Sequence, residues 1–134
     1  MTMETPQIRL GSGGAWLELV QAGEDSWQVT ADWCSSLSAD FTAYLTRGEV
    51  ADFAAQMLSH LRSPSGSRFS TAVTPGRNNP LVLSAVPVGA GFAFFVRLTP
   101  NGDDDVCHLQ MEINPIEATE LRDMFDALHA SLTL

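Results

Sequence analysis

The chain has 134 residues, of which 45% are hydrophobic and 17% charged, an ordinary composition for one folded globular domain spanning residues 1–134. The formal net charge is −9, and all seven basic residues are arginines spread singly along the sequence. Nucleic-acid binding is disfavoured, because phosphate neutralisation needs clustered lysine and arginine. The absence of lysine also excludes the P-loop and the Ser-x-x-Lys acyl-enzyme motif.

The first residues, MTMETPQIRL, lack the basic start and apolar run of a signal peptide. No stretch approaches the ~20 apolar residues that span a bilayer. We therefore expect a cytoplasmic protein without membrane association. Cys34 and Cys107 have neither CxxC nor metal-ligand spacing, so we expect both to be buried and reduced.

The first half of the chain predicts an antiparallel strand region. Residues 8–10 and 16–21 are apolar-rich runs on either side of the turn sequence Gly11–Gly14, which is typical of a hairpin. Apolar and polar residues then alternate over 27–34, the period of a strand with one buried face. A further strand is predicted over 39–45.

A helix is predicted directly after these strands. Thr46 and Glu49 have the spacing of a capping box, in which the hydroxyl and the carboxylate satisfy free amides at a helix start. The following apolar residues fall on one helical stripe, and the breaker sequence at 63–66 ends it. The stripe consists of Val50, Phe53, Met57, Leu58 and Leu61.

The second half repeats this order without a convincing sequence repeat. Strands are predicted over 68–73 and 81–86, and a hairpin over 92–99 and 106–113. Asn114-Pro115 predicts the start of the last helix, with Asn as the cap and Pro at the first helical position. These elements indicate an α+β fold, a mostly antiparallel sheet with two amphipathic helices packed on one face.

No catalytic, metal or cofactor site is indicated. His60, His108 and His129 have no metal-ligand spacing, and the three aspartates at 103–105 lack the alternating pattern of a calcium loop. Cys107 and His108 are neighbours in a predicted strand, so their side chains point to opposite faces and cannot act as nucleophile and base. We expect a non-enzymatic protein.

A symmetric loop in the last hairpin would place Arg97 beside His108 on the outer face of the sheet. Gln110 and Glu112 share that face. These four residues, with the acidic Asp32, are the candidate protein-contact residues; the alternative is that they form an ordinary solvated sheet face. Trp16, Trp27, Trp33 and Tyr44 are further candidates, because any that is left exposed would suit an interface.

The order of the elements resembles a known group of proteins. An N-terminal IRLGSGGAWLELV hairpin, the segment FTAYLTRGEVADFAAQMLSHL and the final INPIEATELRDMFDALHASL resemble the WapI-type bacterial immunity family and related actinobacterial domains. The resemblance implies a cytoplasmic antitoxin that binds and neutralises a toxin domain, with no catalytic residues. Acidity fits a basic partner, such as a nuclease toxin. The alternatives are a structural domain that homodimerises and a small-molecule binder.

Overall fold

The computed structural model describes residues 5–62, 67–74, 80–100 and 108–133. These residues form eight strands and two helices, which confirms the α+β class. The first half contains β1 (Gln7–Ser12), β2 (Ala15–Gly23), β3 (Ser26–Trp33), β4 (Leu37–Ala43) and α1 (Arg47–Leu61). The second half contains β5 (Phe69–Ala72), β6 (Leu81–Val88), β7 (Gly91–Leu98), β8 (Leu109–Glu117) and α2 (Ala118–Leu132).

The strands form two sheets instead of the single sheet that the sequence suggested. The first sheet has the order β1-β2-β3-β4 and the second the order β5-β6-β7-β8, with antiparallel pairs throughout. Each half of the chain is thus a four-stranded meander that ends in a helix of 15 residues. The edge strands β1 and β8 lie side by side, since a Cβ atom built on Gly11 would be 2.9 Å from Cγ2 of Ile113.

The inner faces of both sheets and the apolar stripes of both helices enclose one hydrophobic cluster. Trp27, Phe53, Phe94 and Phe125 are among its fully buried members. The rings of Phe53 and Phe125 meet edge to face between α1 and α2, with centroids 6.0 Å apart, an arrangement that aromatic pairs prefer. The helices therefore pack on each other as well as on the sheets.

The predicted start of α1 is confirmed. The Thr46 hydroxyl accepts a hydrogen bond from the Glu49 amide at 3.1 Å, and the Glu49 carboxylate accepts one from the Thr46 amide at 2.9 Å. The predicted apolar stripe is buried in full. The last described residue of this segment is Arg62, and the breaker sequence at 63–66 lies outside the described residues.

The predicted start of α2 is wrong. Residues Asn114 to Glu117 continue β8, and the helix begins at Ala118. Phe92 pairs with Ile116 and Phe94 with Ile113, so Asn114 and Pro115 together oppose one residue of β7. Such a bulge tolerates proline, which has no amide hydrogen for the ladder. Strand pairing therefore overrides the local cap signal.

The expectation of two buried cysteines is wrong for Cys34, which is an exposed free thiol. Cys34 and Ser35 both have positive φ, 53° and 58°, in the turn between β3 and β4. The left-handed conformation ends β3 at Trp33, and the thiol of Cys34 lies in the exposed turn instead of in the core. Cys107 lies outside the described residues.

Neither α1 nor α2 is long and apolar enough to cross a membrane, and the described part of the chain contains no other helix of that kind.

Candidate functional site

The outer face of the second sheet, here called the second-sheet face, carries most of the candidate contact residues. Arg97 of β7 lies opposite Gln110 of β8, and Phe95 lies opposite Glu112. The sequence placed Arg97, Gln110 and Glu112 on the correct face but paired Arg97 with His108. The hairpin pairs first at Leu98 and Leu109, and such a shift of two residues preserves the face of every side chain.

Phe95 is the central apolar residue of the second-sheet face. Its side chain is 48% exposed, although the ring lies in the middle of a four-strand row formed by Ser70, Ser84, Phe95 and Glu112. Large aromatic side chains are usually buried and are enriched at the centres of interfaces. An exposed phenylalanine at this position indicates a surface suited to contact with another molecule.

Phe95 borders a shallow concavity of about 500 Å³. The concavity combines one cation, one carboxylate, an amide, a hydroxyl and apolar carbon. Its lining includes Val82, Ser84, Phe95, Arg97, Gln110 and Glu112. Groups of this kind can form hydrogen bonds and ion pairs with a bound molecule.

The remaining candidate residues lie elsewhere. His108 immediately precedes β8, two positions before Gln110, and residues 101–107 lie outside the described part of the chain. Asp32 is on the outer face of the first sheet, where its carboxylate accepts a hydrogen bond from the Ser35 amide at 3.2 Å. The five candidates therefore do not form one site, and Asp32 serves the turn after β3.

The structure also distinguishes the aromatic residues that the sequence left open. Trp27 is fully buried, whereas Trp33 is 38% and Tyr44 82% exposed. Trp16 is half-buried beneath the guanidinium of Arg9, which lies 4.3 Å from the ring centroid. Phe95 was not among the candidate residues, although it lies two positions before Arg97 in the same strand and alternation therefore places both side chains on one face.

A larger concavity of about 980 Å³ lies at the start of α1, and the basic side chain that lines it, Arg47, is already paired. Arg47 donates to the Ser131 carbonyl at 2.7 Å and to the Gln21 side chain at 3.3 Å. Glu49 caps the helix, and hydrogen bonds from Thr46 and Thr74 lower the pKa of its carboxyl. The acidic side chains that line the concavity are Glu24 and Asp25, which would repel an anionic ligand.

Among the described residues, no group of three histidine, cysteine, aspartate or glutamate side chains could hold a metal ion. His60 stacks on Phe69, with the ring centroids 4.4 Å apart. Ring stacking accounts for the position of this histidine without a ligand.

Comparisons with protein-family models, with curated proteins and with solved structures found no match to this chain.

Proposed function

We propose that this chain is a non-enzymatic binding protein that recognises another protein through the second-sheet face. The observation that carries the proposal is the 48% exposure of Phe95 at the centre of an open sheet. Interfaces concentrate their binding energy in a few central aromatic and arginine side chains surrounded by polar contacts. Phe95 beside Arg97, with Gln110 and Glu112 around them, has this composition.

The charge of the chain favours a basic partner. The net charge is −9, and Glu112 borders the concavity beside Phe95. Three further aspartates, at positions 103–105, lie in the sequence between the two strands that carry the face. Opposite charges accelerate association and select the partner, and these effects weaken as salt increases.

Within this function, the resemblance to WapI-type immunity proteins favours a toxin domain as the partner. An immunity protein neutralises its toxin by occupying the toxin surface, which needs no catalytic group of its own. A nuclease toxin would present a positively charged substrate channel, the surface that an acidic protein fits. We place this interaction in the cytoplasm of the producing cell, where cell fractionation tests it.

The proposal is tested with the intact chain and two matched variants. Phe95→Asp introduces a charge at the centre of the second-sheet face, and Tyr44→Asp introduces the same charge at an exposed aromatic residue outside that face. Each protein is used to capture partners from its own organism's lysate at low salt. The captured protein is then purified and titrated against all three chains by calorimetry.

A salt-sensitive complex with a basic protein, lost in Phe95→Asp and retained in Tyr44→Asp, is the expected result. A complex that survives Phe95→Asp, or no complex at low salt, contradicts the proposal. Sedimentation tests the homodimer alternative, since a stable dimer disrupted by Phe95→Asp would place a second copy on this face. A low-molecular-weight ligand lost only in Phe95→Asp would instead support the small-molecule alternative, whose support is a concavity of suitable volume.

A further inference from the structure

Strand β4 is an open edge of the first sheet. It comprises the seven residues Leu37–Ala43 and is hydrogen-bonded to β3 alone. Among the described backbone groups outside helices and strands, none donates to or accepts from β4. At the opposite edge of that sheet β1 lies beside β8, and the second sheet's free edge, β5, has only four residues. Since β1 and β8 lie beside each other, β4 is the longest strand in the described parts of the chain whose free edge has no other strand next to it.

Exposed apolar side chains are concentrated around this edge. Leu37 is 47% exposed and lies opposite Trp33, which is 38% exposed, on the face that continues the core. Tyr44, 82% exposed, follows the strand directly. Three of the five exposed large hydrophobic residues of the described chain thus flank one edge. Proteins usually protect such an edge with proline, a bulge or charged side chains; β4 has no proline and no bulge, and Asp40 is its one charged residue.

The other face of the same edge is acidic. Asp40 lies exposed at the middle of β4, opposite Thr30, and Asp32 and Glu18 lie on the same outer face. Arg9 is the basic residue of that face in the described strands, and it pairs with Glu18 at 3.7 Å. A strand added beside β4 would meet apolar side chains on one face and a carboxylate on the other.

We infer that β4 is a strand-addition site for an extended segment of another protein whose side chains alternate between apolar and basic. The added backbone would pair with the free amides and carbonyls of β4, and the side-chain alternation would provide specificity. Apolar side chains would cover Leu37 and Trp33, while arginine or lysine would face Asp40. A second copy of the chain fits less well, because full antiparallel pairing of two β4 strands places Asp40 opposite Asp40. This inference does not depend on the second-sheet face.

The test uses a fluorescent peptide in which arginine and valine alternate over about seven residues, the length of β4. Its binding to the full chain is measured by fluorescence anisotropy. Two control peptides carry glutamate in place of arginine, or backbone N-methyl groups on alternate residues. We expect the arginine peptide to bind and both controls to lose binding. The glutamate peptide is repelled by Asp40, and the N-methylated peptide lacks the backbone amide hydrogens along one of its edges.

Matched protein variants locate the site. Asp40→Lys should weaken peptide binding by about tenfold or more, because lysine repels the basic side chains of the peptide and disfavours the pairing of another strand with β4. Asp52→Lys makes the same charge change at an exposed position of α1. Its affinity for the peptide should be within about twofold of that of the unmodified chain, at a salt concentration that screens distant charges. Phe95→Asp should leave peptide binding unchanged, so the test of β4 is independent of the test of the second-sheet face.

Equal weakening by Asp40→Lys and Asp52→Lys would overturn the inference, since it would show non-specific attraction to an acidic protein. Binding of the N-methylated peptide would also overturn it. So would self-association of the chain that Asp40→Lys abolishes, because β4 would then be a dimer edge. Circular dichroism and thermal unfolding of each variant establish that it is folded before binding is compared.

Discussion

The carboxylate of Glu49 joins the start of α1 to Thr74, two residues after β5, the first strand of the second sheet. One oxygen accepts a hydrogen bond from the Thr46 amide at 2.9 Å, and the other accepts one from the Thr74 hydroxyl at 2.6 Å. Thr46 and Thr74 belong to different halves of the chain, and Thr74 is buried. A local capping motif that was visible in the sequence therefore also acts as a contact between the halves.

Removing the cap hydroxyl should destabilise the protein. Thr46→Ala loses the hydrogen bond to the Glu49 amide and should lower the free energy of unfolding by about 1 kcal/mol. Urea unfolding followed by circular dichroism measures the change. Asp52→Ala, at an exposed position of the same helix, is the control and should change stability by less than about 0.5 kcal/mol. Equal effects would show that the cap is not the cause.

The stabilisation from Glu49 should depend on pH. Hydrogen bonds from the Thr46 backbone and the Thr74 side chain lower the pKa of Glu49 from its ordinary value of 4.5. A lowered pKa in the folded state means that the charged form stabilises folding above pH 4.5 and that this contribution is lost as the pH falls through the folded value.

Comparison with Glu49→Gln across a pH series measures this contribution. The difference in unfolding free energy between the unmodified chain and Glu49→Gln should be constant from neutral pH down to about 4.5 and shrink below it. Asp52→Asn provides the matched control on the same helix. A difference that stays constant through the acidic range would contradict the assigned cause.

The local features of the fold could be read from the sequence because they depend on neighbouring residues. The capping box at Thr46, the hairpin on either side of Gly11–Gly14 and the faces of the last hairpin were all predicted correctly. Each follows from spacing within a few residues: a helix cap spans three positions, and a strand alternates with period two.

The errors involve longer-range pairing. Asn114-Pro115 has the local signature of a helix start, but pairing of β8 with Gly91 and Phe92 keeps this segment extended. Alternation likewise places Trp33 on the core face of β3, but it does not show how far the core extends along the strand. Trp33 and Leu37 form the last pair between β3 and β4 and are exposed. The candidate residues lie apart for the same reason: the strands form two sheets, and Asp32 and Glu112 are on different ones.

Cys34 should react readily in the folded protein. Its thiol is exposed in the turn between β3 and β4, so reagents reach it without unfolding. Under native conditions, iodoacetamide should modify Cys34 at the rate expected for a surface thiol. Peptide mass spectrometry identifies the modified residue. Cys34→Ser should keep the same unfolding midpoint, as surface substitutions generally do. Labelling that requires denaturant would contradict the exposed position.

Replacing Trp27 with phenylalanine should cost less stability than the same replacement at a buried tryptophan whose indole nitrogen is hydrogen-bonded. Its side chain is fully buried, yet its indole nitrogen has no hydrogen-bond partner among the described residues. An unsatisfied buried donor costs roughly 1–3 kcal/mol. Trp27→Phe removes this donor and recovers its cost, but the smaller ring leaves a small cavity.

The two effects of Trp27→Phe should nearly cancel, so that the free energy of unfolding changes by less than about 1 kcal/mol. Trp27→Ala is the reference and should lose about 3–5 kcal/mol. Urea unfolding of both variants checks the comparison. A loss in Trp27→Phe close to that in Trp27→Ala would mean that the indole ring is needed for packing and that the unpaired nitrogen carries little cost.

Two glycines should respond to alanine with opposite signs. A Cβ atom on Gly91 would lie 2.1 Å from the carbonyl oxygen of Ile116 and 2.9 Å from Cα of Glu117. Both atoms belong to the backbone of β8 where it passes the start of β7, so the clash cannot be relieved by a side-chain rotation. Gly91→Ala should therefore force the strands apart and destabilise the protein by about 2 kcal/mol or more.

Gly48 provides the matched control in the first turn of α1. A Cβ atom there would meet only the Thr46 hydroxyl oxygen, at 3.9 Å, an ordinary contact distance. Since glycine loses more backbone freedom than alanine when a helix forms, Gly48→Ala should stabilise the protein by about 0.5–1 kcal/mol. Thermal and urea unfolding of the two variants measure both signs. A neutral Gly91→Ala would mean that β8 does not pass β7 as closely as the pairing of Gly91 with Glu117 requires.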